Sequence, residues 1–304
     1  MGNKSDIIEL ISIRTGISSK KIEETISSSK CEYSVVHAKI KKKKRIFYIP
    51  SPQLKIIQLH LIKIVLEGFE VSSHAHAYIK NKSIKTNVNC HIGNTFFFQT
   101  DIKSFFPSIK ANHIKNVLSK DDSISKDDIG LILSAVVPFE SLDLGSPTSP
   151  IISNIIMLEF DQKIESLIQE NYKGAIYTRY SDDITISSKQ PILGIDKIVD
   201  KTLEEFGFEI NKSKTKYTQL IDKVKITGIF LHADKRMTVG TNFKRNLKQQ
   251  LYLLSNGLDP QIDNIQIMGM LSYIRDIEPE YYLSLVQKYS SSTKSIIDII
   301  KSGM

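Results

Sequence analysis

The chain has 304 residues, 41% of them hydrophobic and 24% charged, with a formal net charge of +8. These are the proportions of a folded protein large enough to bury a sizeable core, and no apolar run approaches the roughly 18 residues of a membrane span. Cys31 and Cys90 are too few for a disulfide framework or a cysteine zinc site, Met1 to Asp6 lacks the apolar core of a secretory signal, and the basic surplus favours polyanions. The expectation is a cytoplasmic protein that needs no membrane and has nucleic acid as its leading partner.

Ile7, Ile8, Leu10 and Ile11 share a broad face of a first helix, and Ser18-Ser19 can cap a second one carrying Ile22 and Ile26. The run Lys41-Lys42-Lys43-Lys44-Arg45 leads into Ile46-Phe47-Tyr48-Ile49 and stops at Pro50, so its basic side chains belong to a strand or hairpin. Leu54, Ile57, Leu61 and Ile64 then recur at the helical period. Thr95 to Gln99, with three consecutive phenylalanines, predicts a buried strand that follows Gly93-Asn94 and ends at Thr100-Asp101.

Farther along, Ser149-Pro150 supplies a cap and a first-turn proline to a helix with Ile151, Ile152, Ile155, Ile156 and Phe160 on its apolar side. Ala175-Ile176-Tyr177 and Ile184-Thr185-Ile186 flank Tyr180-Ser181-Asp182-Asp183, the pattern of two strands joined by a tight turn. A helix ends at Gly207, Lys225 to Phe230 predicts one strand, and Phe243, Leu247, Leu251 and Leu254 space out a C-terminal helix. No repeat or low-complexity tract interrupts this order.

The chemistry suggested by this pattern rests on carboxylates. Nucleotide transfer must deprotonate a sugar hydroxyl and hold a triphosphate, and two magnesium ions about 4 Å apart do both. Magnesium takes hard oxygen ligands, so Asp101 at one strand end and Asp182 with Asp183 on a neighbouring hairpin are the candidate metal ligands. An Asp-Asp pair at a turn is commonplace by itself, because Asp bonds its own backbone there. Only the conjunction with Asp101 gives it weight.

From about residue 41 to residue 232 the ordered motifs resemble those of the reverse transcriptase family. Tyr180-Ser181-Asp182-Asp183 is similar to that family's Tyr-x-Asp-Asp box, and Thr100-Asp101-Ile102-Lys103-Ser104-Phe105-Phe106 to the motif in which an aromatic follows the first catalytic aspartate by five residues. The resemblance implies catalytic roles for Asp101, Asp182 and Asp183, a metal contact from the Ile102 backbone carbonyl, and a steric gate at Phe106 that excludes a 2′-hydroxyl. Leu144-Gly145-Ser146-Pro147-Thr148-Ser149-Pro150 with Ser153-Asn154 resembles the glycine-proline motif, with Leu144 where the family usually has Gln. By the same resemblance Ser146 and Pro147 meet the incoming nucleotide. Lys214, in Gly207 to Thr215, is the lysine near the triphosphate, and Lys44-Arg45 resembles the segment that clamps its terminal phosphates. Arg45 suits that task through its planar fork of donors.

Two boxes resemble the retron reverse transcriptases in particular. Asn87-Val88-Asn89-Cys90-His91 is similar to their Asn-Ala-x-x-His element, and Ile226-Thr227-Gly228 to Val-Thr-Gly. Asn87 and His91 are thereby candidate nucleic-acid contacts, although His91 also reads as a hydrogen-bonded structural histidine. Lys244, Arg245 and Lys248 alternate with Phe243 and Leu247, so one helix face packs while the other meets phosphates.

The implied fold is an α+β right-hand polymerase with an antiparallel palm sheet: N-terminal helices and fingers over 1–95, palm over 96–235 and a short helical thumb over 236–304. The implied partners are a cognate structured non-coding RNA (msr-msd), its branched DNA product (msDNA), deoxynucleotides, and a separate effector protein in anti-phage defence. A group II intron-like or diversity-generating reverse transcriptase, and a non-catalytic RNA-binding scaffold, remain open alternatives.

Overall fold

The computed structural model describes residues 6–40, 43–292 and 294–303. Lys41 and Lys42 of the basic run, and the N-terminal residues up to Ser5, lie outside the described residues. Helices α1 (Asp6–Thr15) and α2 (Ser19–Ser27) come first, and Ser18 caps α2 by accepting from the Lys21 amide. Strands β1 (Tyr33–Ile40) and β2 (Lys43–Pro50) pair as an antiparallel hairpin with Tyr33 opposite Pro50. Ser51 and Pro52 then start α3 (Pro52–Ile64), which buries Leu54, Ile57 and Leu61.

Helix α4 (Ile84–Asn89) precedes β3 (Phe96–Asp101), followed by α5 (Phe105–Ser108), α6 (Ala111–Leu118) and α7 (Lys126–Val136). The helix expected from Ser149 is in fact two, α8 (Ser149–Ile156) and α9 (Leu158–Asn171), and Phe160 falls on the second. Thr148, not Ser149, takes the cap position and makes no side-chain cap bond.

Strands β4 (Ile176–Tyr180) and β5 (Asp183–Ser188) form the expected hairpin, and α10 (Ile195–Glu205) precedes β6 (Lys216–Gln219). The strand expected from Lys225 to Phe230 is a third hairpin, β7 (Lys223–Ile226) and β8 (Ile229–His232), followed by β9 (Met237–Thr238). Thr227 and Gly228 both take positive φ there, 45° and 98°, so the apolar run folds back on itself with a two-residue turn. Helices α11 (Thr241–Ser255), α12 (Asn264–Ile277), α13 (Pro279–Tyr289) and α14 (Ile296–Ser302) complete the chain.

The four-stranded sheet has the order β4-β5-β3-β6, and all its pairings are antiparallel. Successive side chains of β3 point to opposite faces, and both faces are covered. Phe98 belongs to one apolar core with Ile7, Ile57, Phe160 and Ile210, whereas Phe97 joins a second core with Val224, Ile229, Leu247 and Ile274. The first core runs through the N-terminal helices and the sheet without a break at residue 95. Among the described residues, no helix is long and apolar enough to cross a membrane.

Candidate active site

Antiparallel register brings the carboxylates together. Asp101 closes β3 directly opposite Asp183 at the start of β5, and the Ile102 amide donates to the Asp182 carbonyl at 2.9 Å. Ser181, the first residue of the β4-β5 turn, sits at φ 59°. One ligand oxygen from each of Asp101, Asp182 and Asp183 lies within 4.8 Å of the others. That separation suits a shared metal site.

The electrostatics agree with a cation site. Burial, the hydrogen bond to Asp101 and the charges of Asp183 and Asp101 push the Asp182 carboxyl up to about 7. Burial and Asp101 likewise raise Asp183. Burial alone would raise Asp101 too, but hydrogen bonds from Lys214, Asp182 and Asn211 outweigh it and hold that carboxyl low. Three crowded hard-oxygen donors, with the Lys214 ammonium paired to Asp101, fit a divalent ion such as magnesium.

Two cavities meet at Asp101. One, of about 740 Å³, is lined by Lys44, Arg45, Tyr78, Ile102, Phe106, Leu144, Asp182 and Lys214 among others. It brings together four of the residues expected to hold a nucleotide, Lys44, Arg45, Lys214 and the half-buried Phe106, while Phe105 packs into the core. The second, of about 650 Å³, lies toward Asp183 and includes Lys216, Lys225, Thr227 and Gly228.

Ser146 and Pro147 line neither cavity. Ser146 is buried, its hydroxyl bonded to Asp143 and to Tyr33, so a direct nucleotide contact does not fit its position. Its loop instead presses on β2: a Cβ at Gly145 would stand 1.8 Å from the Tyr48 carbonyl oxygen, and only glycine fits there.

Asn211 and Arg179 escaped the sequence reading. Asn211 Nδ2 donates to Asp101 Oδ1 at 2.8 Å, and its place three residues before Lys214 was the available signal. Arg179 and Asp161 form an ion pair with both side chains 0% exposed. Arg179 also donates to the Ser181 carbonyl at 3.2 Å and to Asn154 Oδ1 at 3.2 Å, while Tyr177 donates to Asp161 at 2.6 Å. An arginine in the middle of a strand, one residue before Tyr180, was the available hint.

The two retron-like boxes touch each other: Asn87 Nδ2 donates to Thr227 Oγ1 at 3.4 Å. Both Asn87 and His91 are buried, which corrects their expected contact with nucleic acid. His91 bonds Ser187 through Nδ1 and Thr178 through Nε2, each at 2.7 Å, so neither ring nitrogen is free. On the thumb helix, Arg245 and Lys248 are exposed, but Lys244 is committed to an ion pair with Glu278 and lies over the Tyr281 ring.

Burial, with a smaller contribution from His76, holds the His91 imidazole down to about 3, well below the roughly 6.5 of an unfolded chain. The folded state therefore keeps His91 neutral while the unfolded state gains its proton. The stability from this group is complete above pH of about 6.5 and declines toward 3, by about 1.4 kcal/mol per pH unit. Melting curves from pH 7 to pH 5 should fall more steeply for the wild type than for His91→Gln. Equal slopes would remove His91 as the cause.

Residues 36–231 match the family described as reverse transcriptase (RNA-dependent DNA polymerase). The Retron Ec73 reverse transcriptase of Escherichia coli is 31% identical over 277 residues, covering 85% of this chain and 87% of that protein. The Retron Ec83 reverse transcriptase of the same organism is 28% identical, covering 83% and 85%. Among solved structures, apo telomerase from Candida tropicalis aligns with a TM-score of 0.53 at 12% identity, over 84% of this chain and 57% of that one. At that identity the likeness speaks for the fold alone, the α+β right-hand polymerase. With the carboxylates in register and the family spanning both cavities, the chain belongs to the reverse transcriptases, RNA-directed DNA polymerases, and within them to the retron type.

Proposed function

We propose that this chain copies part of its own structured non-coding RNA (msr-msd) into a branched RNA–DNA product (msDNA), with two magnesium ions held by Asp101, Asp182, Asp183 and the Ile102 carbonyl. The observation that carries the reading is the carboxylate trio within 4.8 Å at the junction of a basic nucleotide-sized cavity and a second lysine-bearing one. The metal supplies charge neutralisation for the phosphates and acidifies the attacking hydroxyl. Arg45 and Lys44 meet the terminal phosphates of the deoxynucleotide, Lys214 sits beside the reacting carboxylates, and Phe106 lies under the sugar. The primer end enters past Lys216, Lys225 and the Thr227-Gly228 turn. Its hydroxyl gives up its proton to solvent as the oxygen forms the new bond to the α-phosphorus, and pyrophosphate leaves.

Exposed Arg245 and Lys248 on α11 track the duplex backbone. The β7–β9 sheet shares its core with α11, α12 and α14, which supports counting it with the thumb, so that the palm ends near residue 220 rather than 235. A cytoplasmic location, a separate effector protein and a role in anti-phage defence follow from the retron reading. Nucleic acid co-purifying with the wild type should contain DNA covalently joined to RNA, whereas Asp182→Asn protein should carry RNA only. Recovery of unlinked DNA, or of no cognate RNA, overturns the branched-product reading.

Phe106→Ala should increase ribonucleotide incorporation, because removing the ring opens the volume that a 2′-hydroxyl occupies. The ratio of deoxy- to ribonucleotide rates, measured on folded protein, is the check. If the ring serves only packing, both rates should fall together, along with the melting temperature.

A further inference from the structure

Tyr78 has a conformation that its residue type disfavours. Its φ is 62°, a left-handed value that is an outlier for a bulky side chain, and the residue, which lines the nucleotide cavity, is 51% exposed. Such a backbone persists only where its surroundings over-determine it, and outliers of this kind gather at functional sites.

The surroundings do over-determine it. Residues 74–76 run along the open edge of β4: the Arg179 amide donates to the His74 carbonyl at 2.9 Å, and the His76 amide donates to the Arg179 carbonyl at 2.8 Å. One residue later Asn154 Nδ2 donates to the Ala77 carbonyl at 2.8 Å, and Asn154 is itself held by buried Arg179. Beyond Tyr78 the Lys82 amide closes a turn on the Ile79 carbonyl at 3.1 Å. Clamped on both sides, the chain turns Tyr78 out of the β4 edge and into the cavity.

Inside the cavity its ring lies 6.5 Å from the Phe106 ring, centroid to centroid, tilted by 53°. Its hydroxyl donates to Ser181 Oγ at 3.2 Å, on the residue immediately before Asp182. Tyr78 therefore touches both the aromatic expected to select the sugar and the turn that presents the carboxylates. Packing does not require a half-exposed ring at this point.

We propose that Tyr78 is a specificity-determining residue whose ring, together with that of Phe106, bounds the sugar end of the nucleotide cavity, and whose hydroxyl fixes Ser181 in the catalytic turn. The proposal rests on the reading of Phe106 as the sugar gate and extends it to a second aromatic from a different segment. With the ring removed, the sugar gains lateral freedom and the 2′-hydroxyl a path around Phe106. With only the hydroxyl removed, the wall stays and the turn loosens.

Five proteins assayed on one primed RNA template test this: wild type, Tyr78→Ala, Tyr78→Phe, Phe106→Ala and the Tyr78→Ala/Phe106→Ala double variant, with single-nucleotide kcat/KM for matched deoxy- and ribonucleotides. Tyr78→Ala should lower the deoxy-to-ribo ratio by about tenfold, the scale on which a pocket wall discriminates. Its melting temperature should stay close to the wild type, because the side chain is half exposed. Tyr78→Phe should keep the ratio while lowering kcat for both sugars. In a Phe106→Ala background, Tyr78→Ala should change the ratio less than it does alone, as expected for two walls of one site.

An unchanged ratio in folded Tyr78→Ala overturns the proposal, and so does a ratio lost in Tyr78→Phe, which keeps the ring. If Phe106→Ala shifts the ratio and Tyr78→Ala does not, the gate stands and Tyr78 is dismissed. If neither shifts it, both readings fall together.

Discussion

Asp182→Asn is expected to abolish DNA synthesis, by at least about a thousandfold, and to leave RNA binding near the wild-type level. The carboxylate lies within 4.8 Å of its two partners and is crowded enough to be pushed up to about 7, which marks a site built for a cation. Asparagine keeps the shape but removes a charged ligand, and the metal's contribution to the transition state amounts to several kcal/mol at about 1.4 kcal/mol per tenfold in rate. RNA affinity comes instead from the basic surface, which the substitution does not touch. Primer extension, paired with filter binding of the same RNA, measures both. Chelating the magnesium should stop the wild type at once, and product at wild-type levels from Asp182→Asn would end the mechanism proposed here.

Arg179→Met should destabilise the fold by about 3–5 kcal/mol, the usual cost of stranding one member of a buried ion pair. Asp161 and Arg179 are both 0% exposed, so the abandoned carboxylate has no water to turn to. At a few degrees per kcal/mol, the melting temperature should fall by roughly 10 °C. Arg179→Met combined with Asp161→Leu removes both charges and should recover most of that loss. Activity should not recover with it, because the Ser181 carbonyl has lost its donor at the base of the catalytic turn. Wild-type melting of the single variant would show that the pair carries no net stability. Full activity of the double variant would show that Arg179 does not position the turn.

The sequence by itself determined where the three candidate carboxylates stand. Asp101, Asp182 and Asp183 stand at strand ends defined by local apolar runs and turn residues, and such signals need only a few neighbours to be read. The same holds for the β4-β5 hairpin and for α3, whereas Lys44, Arg45, Phe106 and Lys214 came only from the resemblance to the family, and the fold gathers them around one cavity. Where the reading failed locally, a backbone preference hid inside an apolar run. Thr227, β-branched and unusual at positive φ, gave no warning of the turn that splits Lys225 to Phe230 into two strands.

Only the tertiary structure decided which polar residues face solvent, substrate or core, because that depends on partners distant in the chain. His91 finds Thr178 and Ser187, Lys244 finds Glu278, and Ser146 finds Tyr33, so each is spent on holding the fold. Arg179 pairs with Asp161 across 18 positions and Asn211 reaches Asp101 across 110, and no periodicity encodes either meeting. A residue's type and spacing fix what it is able to do. The contacts that satisfy or strand its polar atoms are long-range, and they fix what it does.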